Sequence, residues 1–349
     1  MANMQELLNT IRSNASAQYQ ARIPEATRGN IEDIRFAMID DDNIMVANEF
    51  MRTLLNKIVK SVVHAKRFSN PLKSLKKGKK PLGDTIEEIF VNFIKSETKG
   101  DGSELLSRKL PDVKTVYHRM NYESKYKVSV DRTRLSKAFA SYDALETFIV
   151  GIINSLYNSA ELDEFINMKT VIASAWNAGA IKKIPIADIT DEASGKEFLK
   201  SVKIISGLMK FPSENYNGYL DVQKTDTVPI TTFSRLEEQV LIIDVATNIN
   251  VAVDVLASVF NMSVADFNNT KKIVIDSFPM ANTIRAILAD EQFFQVWDDY
   301  LVFKEFDNGD GLYSNFFLHI GQTIAFSPLV NAVGWYAEPV NPTNAEPEE

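Results

Sequence analysis

Between Ser141 and Gly179 apolar side chains return at three- and four-residue steps for about ten helical turns. Leu145, Phe148, Ile149, Ile152, Ile153, Leu156, Tyr157 and Ala160 are followed at the same spacing by Phe165, Met168, Ile172 and Ala175. That spacing keeps one face of an α-helix apolar. Ser141 offers an N-cap hydroxyl, and Gly179 a residue able to take the left-handed turn that ends a helix. The pattern predicts one unbroken helix over about 142–178, roughly 55 Å long at 1.5 Å per residue. Most globular helices stop after three or four turns, and a compact monomeric enzyme rarely needs such a spine.

The segments on either side have a different texture. Residues 116–131, VYHRMNYESKYKVSVD, alternate: Val116, Met120, Tyr122, Tyr126, Val128 and Val130 share one parity, while Arg119, Asn121, Glu123, Lys125, Lys127 and Asp131 share the other. Period two over that length is one long strand or two short ones, wet on one face. IEEIFVNFI (86–94) supplies a partner across a turn-rich stretch holding Gly100, Gly102 and Pro111. A two-stranded excursion of this kind is marginal alone in water and needs a surface to lie on. Upstream, Ile44, Ala47, Phe50, Leu54, Ile58 and Val62 form a helical stripe from about Asn43 to Val63, behind the acidic run Asp40, Asp41 and Asp42. Residues 1–30 are largely polar, with one short helical pattern around Leu7, Leu8 and Ile11, and read as a mobile arm. Downstream, QVLIIDV and KKIVIDSF read as buried strands, VAVDVLASVFN and SGKEFLKSVKIISGLMK as amphipathic helices, and NFFLHIGQTIAF as a last strand. The closing EPVNPTNAEPEE is proline-rich and acidic, the composition of a disordered tail.

Little in the chain suggests catalysis. It has no cysteine and three histidines, His64, His118 and His319, none at metal-ligand spacing. There is no nucleotide-binding glycine loop and no nucleophile elbow. DNGDG (307–311) lacks the remaining ligands of a calcium loop and reads as a hairpin turn. The N-terminus has neither the basic start nor the apolar core of a signal peptide. The longest apolar run, FIVGIINSLY, is far short of the roughly 18 residues that cross a bilayer. No catalytic, cofactor or metal site and no membrane contact is expected.

One charge feature stands out. Lys66, Arg67, Lys73, Lys76, Lys77, Lys79 and Lys80 crowd residues 66–80 with no acid among them, in a chain of net charge −8. Setting these seven aside leaves 31 cations against 46 acids. Such a field repels nucleic acid, and the lysine run from Lys73 to Lys80 has no interleaved aromatics to stack on bases. An acidic protein surface, including that of another copy of the chain, suits it better, and a solvated loop is the plain alternative. Residues 25–49 could supply that surface, with Glu32, Asp33, Asp40, Asp41 and Asp42 as candidate acceptors for Lys73, Lys76, Lys77, Lys79 and Lys80.

NPLKSLKKGKKPLGDTIEEIF (70–90), LPDVKTVYHRMN (110–121), IINSLYNSAELDEF (152–165), VDVLASVFNMSVADF (253–267), GLYSNFF (311–317) and QTIAFSPLVNAV (322–333) resemble, in order, the major head protein of short-tailed phages of the phi-29-like group. The likeness runs from about residue 40 to 335. It implies an α+β chain of the Hong Kong 97-type fold: an N-terminal arm (1–40), a peripheral domain with the spine helix (41–65 and 136–184), an extended β-hairpin or E-loop (66–135), an axial domain (185–300), return strands (301–337) and the acidic tail (338–349). It also implies a major capsid protein whose pentamers and hexamers close an icosahedral head. Its partners would be a scaffolding protein, a portal protein at one vertex and weakly contacted double-stranded DNA. Some relatives continue into an immunoglobulin-like domain where this sequence has its acidic tail. Two other readings stand beside it: a protein nanocompartment shell of the encapsulin kind with the same fold, and a nucleic-acid binder using residues 66–80.

Overall fold

A computed structural model describes residues 4–27, 68–80, 85–96, 108–131, 142–189, 192–250, 272–279, 283–308 and 313–337, together with positions 29, 30, 33, 34, 36, 37, 46, 49, 50, 53 and 311. The chain divides into two compact units. The first comprises Met1–Asn70, Glu123–Glu164 and Asp299–Gly321; the second comprises Pro71–Tyr122, Phe165–Asp298 and Gln322–Glu349.

The first unit begins with helices α1 (Met4–Asn14) and α2 (Ala17–Arg22). The Ser16 hydroxyl caps α2 by accepting from Tyr19 N, and Ser16 N and Oγ both donate to the Glu49 carboxylate. Arg12 Nε donates to Ile23 O at 2.7 Å, and Asn9 bonds both backbone groups of Ala26. Leu8, Ile11, Tyr19 and Ile23 are buried with Phe50, Val130, Ile152, Leu156, Phe316 and Leu318. The described part of the expected mobile arm is therefore packed. A polar composition hid this, because a handful of apolar residues is enough to hold two short helices once side chains clamp their ends. The helix expected over 43–63 falls almost wholly outside the described residues.

Strand β4 (Tyr122–Asp131) lies next to β10 (Tyr313–Phe326), which neighbours β9 (Phe294–Asn308). β4 alternates along its length, with Tyr126, Val128 and Val130 turned inward and Glu123, Lys125 and Lys127 outward. The 116–131 pattern thus resolves into two strands, β3 (Val113–Arg119) and β4, separated at Met120 and Asn121. The DNGDG stretch connects β9 to β10, and Asn308 Oδ1 accepts from Gly311 N there.

Helix α3 spans Tyr142–Ala178, and its residues are shared by both units. Gly179, at φ +82°, ends it. Ala180 N donates to Ala175 O and Gly179 N to Trp176 O, the paired bonds of a Schellman stop.

The second unit is built on a five-stranded sheet in the order β5 (Lys182–Ile186), β11 (Ala332–Ala337), β8 (Ile284–Asp290), β6 (Gln239–Asp244), β7 (Lys272–Ile275). β5 and β7 run parallel to their neighbours, while β11, β8 and β6 pair antiparallel. One face packs Val240, Ile242 and Ile287 against Phe165, Met168, Ile172 and Trp176 of α3. The other packs Leu241, Ile243, Leu288 and Trp335 against Phe198, Leu199 and Val202 of α4 (Glu192–Leu208). A sheet covered on both faces buries every residue of β6, so QVLIID shows no alternation.

Candidate assembly surface

The basic stretch is anchored by its apolar minority. Pro71–Leu75 forms a 3-10 turn whose Leu72 and Leu75, three residues apart and so on one side of a three-residue turn, are buried with Phe165, Met168 and Ile172. The chain then enters β1 (Lys76–Lys79), parallel to β9, with Lys76 opposite Val296 and Gly78 opposite Trp297. Lys77 is the extra residue of a bulge, and Gly78 takes the left-handed φ of +96° that lets the strand resume. Lys76 Nζ lies 2.8 Å from Asp298 Oδ1, which also accepts from Gln322 Nε2 at 2.9 Å. Lys77 Nζ donates to Glu291 O at 3.0 Å, and Lys80 Nζ reaches Thr323 Oγ1 at 3.5 Å. Lys76, Lys77 and Lys80 thus bond within their own unit. Lys73 and Lys79 are more exposed than these three. Of the candidate acceptors, Asp33 is exposed in the first unit; Glu32, Asp40, Asp41 and Asp42 lie outside the described residues.

Beyond the lysines, β2 (Thr85–Val91) pairs antiparallel with β3, from Thr85 opposite Arg119 to Val91 opposite Val113. One face of this hairpin is held by the unit. Phe90 and Val116 pack on Tyr219, Ile230 and Leu329. Glu88 takes a 2.6 Å bond from Gln295 Nε2 on one oxygen and lies 2.8 Å from His118 Nε2 on the other. Past the strand, Asn92 Nδ2 donates to Pro229 O at 2.9 Å and Asn92 Oδ1 accepts from Thr231 N. Lys114 sits between Asp226, at 2.7 Å, and Asp112, at 3.1 Å. The Lys114 ammonium, then the Tyr219 hydroxyl and the Val228 amide, hold the Asp226 carboxyl far below the usual range. Burial, then the bond to Asp226, push the Tyr219 hydroxyl up to about 12.

The other face is bare. Ile89, Val91 and Tyr117 are 63%, 57% and 61% exposed, and Val113, Leu110 and Ile94 are exposed beside them. A ladder with apolar residues on both faces, one covered and one not, suits a surface that is covered in an assembly. Sequence reasoning singled out the lysines and did not single out this exposed stripe. Its signal was present, since IEEIFVNFI and VKTVY carry apolar residues on both parities. The Lys76–Asp298 pair had no such signal, because nothing local marks a partner 222 positions away.

A profile of the family described as Phi29-like phage major capsid protein matches residues 8–336. The chain belongs to that family. It is 32% identical over 337 residues to the major capsid protein of Bacillus phage PZA, covering 95% of this chain and 72% of that protein. It is 31% identical to that of Bacillus phage B103, with the same coverages. Among solved structures, the capsid structure of Staphylococcus phage Andhra matches with a TM-score of 0.64 at 13% identity, over 80% of this chain and 87% of that one. At that identity the likeness speaks for the fold, which is the Hong Kong 97 type. This major capsid protein is a structural subunit of a phage head and a component of the virion. The geometry agrees with a structural role: the polar clusters around Glu88, Lys114 and Lys76 are mutually bonded and tie backbone segments together.

Proposed function

We propose that copies of this chain form pentamers and hexamers that close into an icosahedral head around double-stranded DNA, with the β2–β3 hairpin as the extended loop of each copy. Domain boundaries follow the sequence reading: a peripheral domain with α3 as spine, an axial domain over about 185–300, and return strands over 301–337. The bare apolar face of the hairpin, carrying Ile89, Val91, Val113 and Tyr117, is the observation that supports this most. In the assembly that face lies on a neighbouring copy, where burial stabilises by ~25 cal/mol per Å² of apolar surface.

Lys73, Lys76, Lys77, Lys79 and Lys80 face an acidic surface of that neighbour, with the exposed Lys73 and Lys79 at the front and Glu32, Asp33, Asp40, Asp41 and Asp42 as the candidate acceptors. Lys76, Lys77 and Lys80 position the stretch by bonding to Asp298, Glu291 and Thr323. A scaffolding protein guides closure in the host cytoplasm, and a portal protein occupies one vertex. A net charge of −8 keeps the wall from gripping DNA, so the genome is contacted weakly.

Co-expression with a candidate scaffolding protein, followed by electron microscopy, tests the reading. Closed shells are expected from the unsubstituted chain. A Lys73→Glu, Lys79→Glu double variant is expected to give folded subunits and few shells. Normal shells from that variant would remove the lysines from the contact, whereas absence of shells from the unsubstituted chain would overturn the assembly itself.

A further inference from the structure

Beside the hairpin runs a groove of about 530 Å³, lined on one side by Glu88, Ile89, Phe90, Val91 and Phe93 and on the other by residues of 231–233 and 327–330. Successive residues of a strand point to opposite faces. Glu88 to Val91 all line the groove, so it follows the edge of β2 and not one of its faces. Among the described residues β2 pairs only with β3, which lies on its opposite edge. The groove is therefore bounded by a strand edge whose outward-pointing N–H and C=O groups have no ladder partner among the described residues.

We propose that this groove receives an extended segment from a second copy of this chain, added as a third strand along β2. The inference rests on the assembly reading above and names how one copy grips the next. Four observations converge on it. A two-stranded sheet is marginal in water and gains independent stability from a third strand. Most of the lining is apolar (Ile89, Phe90, Val91, Phe93, Phe233, Leu329 and Val330), with Phe93 and Phe233 stacked 6.5 Å apart, and Thr231, Thr232, Gln292 and Ser327 add uncharged polar groups. Among the described lining residues Glu88 is the only charge, and it is already engaged by Gln295 and His118, which suits an uncharged strand and repels nucleic acid. Finally, the rim is continuous with the exposed Ile89 and Val91, the face proposed to meet a neighbour, and in a head built of many copies that neighbour is another copy.

The edge from Glu88 to Val91 accommodates four or five residues at ~3.3 Å each. Main-chain bonds to the β2 edge would supply register. Alternate side chains of the incoming strand would meet Phe90 and Leu329 on one side and Ile89, Val91 and Phe93 on the other.

Hydrogen exchange on the unsubstituted protein, free and in assembled shells, tests this directly. Amides of Glu88–Val91 that point into the groove are expected to slow at least tenfold on assembly. Benzoyl-phenylalanine at position 233, in shells grown from mixed isotope-labelled and unlabelled subunits, is expected to give cross-linked peptides carrying both labels. Shells that form while β2 exchange stays at its free rate would overturn the added strand and leave the assembly reading intact. Cross-links confined to one label, or to a different protein, would overturn the second copy as occupant. Failure of the unsubstituted chain to form shells would overturn both.

Discussion

Truncating Leu72 distinguishes a basic stretch that is anchored from one that swings freely. Leu72 is fully buried beside Met168 and Ile172, between exposed Pro71 and Lys73. Leu→Ala changes at such sites cost ~2.7–5 kcal/mol, the larger values where the surroundings fail to close on the cavity. The helix and sheet residues around Leu72 are themselves held by the rest of the core, so a value of ~3 kcal/mol or more is expected. With a urea m-value of ~3 kcal/mol/M the midpoint should fall by about 1 M, with m unchanged. All three tryptophans, Trp176, Trp297 and Trp335, belong to the second unit, so their fluorescence follows the part of the chain under test. Lys73→Ala, one residue on and exposed, should stay within ~0.5 kcal/mol. If Leu72→Ala moves the midpoint no further than Lys73→Ala does, residues 71–75 are not part of the core and the anchoring of β1 falls with them.

Three further outcomes follow from particular contacts. Burial, opposed by bonds from the Ser234 hydroxyl and the Gln292 amide, raises the Asp290 carboxyl above its ordinary value. Its contribution to stability is therefore full below the unfolded pKa and is lost as pH rises through the folded one. Asp290→Asn, whose Oδ1 can still accept from Gln292 N while its Nδ2 donates to a Ser234 hydroxyl turned acceptor, should be more stable than the parent at neutral pH, with the difference vanishing in acid; urea midpoints across pH would show it, and a less stable variant at neutral pH would refute it. Gly179→Ala places an ordinary residue at φ +82° with its Cβ 2.8 Å from Asp221 Cβ, and should cost more than the ~1–2 kcal/mol of the left-handed conformation alone. Ser201→Ala strips the acceptor from Trp335 Nε1, a 2.8 Å bond in the core, at ~1–3 kcal/mol by thermal or urea melts, while Ser201→Thr should restore most of it.

The long helix was legible to within a residue at either end because its information is local: apolar spacing runs through it and a glycine closes it. β2, β3, β4, β6, β7, β10 and α4 were legible for the same reason. β11, AVGWYA, was not: like QVLIID it lacks alternation, but where QVLIID carries an unbroken run of Val, Leu and Ile, the alanines and glycine of AVGWYA have weak strand propensity. β1 was beyond reach altogether. KKGK looks like the most solvated piece of the chain, and it is a strand only because the backbone of Val296–Asp298 presents a parallel edge to it. The same holds for the assembly surface. Charge density is visible in a string of letters, whereas the exposure of Ile89, Val91 and Tyr117 appears only once the opposite face of their hairpin is known to be covered.

That asymmetry bears on what each residue class can contribute to a shell. Lysines that reach acids across an exposed interface gain little net energy, about 0–1 kcal/mol a pair, and salt screens them over ~8 Å at physiological strength. They steer encounter and fix register. Apolar side chains gain on every copy-to-copy contact and are indifferent to simple screening. Lys76, Lys77 and Lys80 are committed to Asp298, Glu291 and Thr323, so they orient the strand that leads to the hairpin. The hairpin then presents Ile89, Val91, Val113 and Tyr117 from a fixed position, because Asn92, Lys114 and Glu88 clamp its other side. A clamped hairpin loses little conformational entropy when a neighbour covers it, and so more of the apolar burial is realised as cohesion between copies. On the proposed assembly, the basic stretch serves as the mount of the hairpin and the apolar ladder beyond it as the grip.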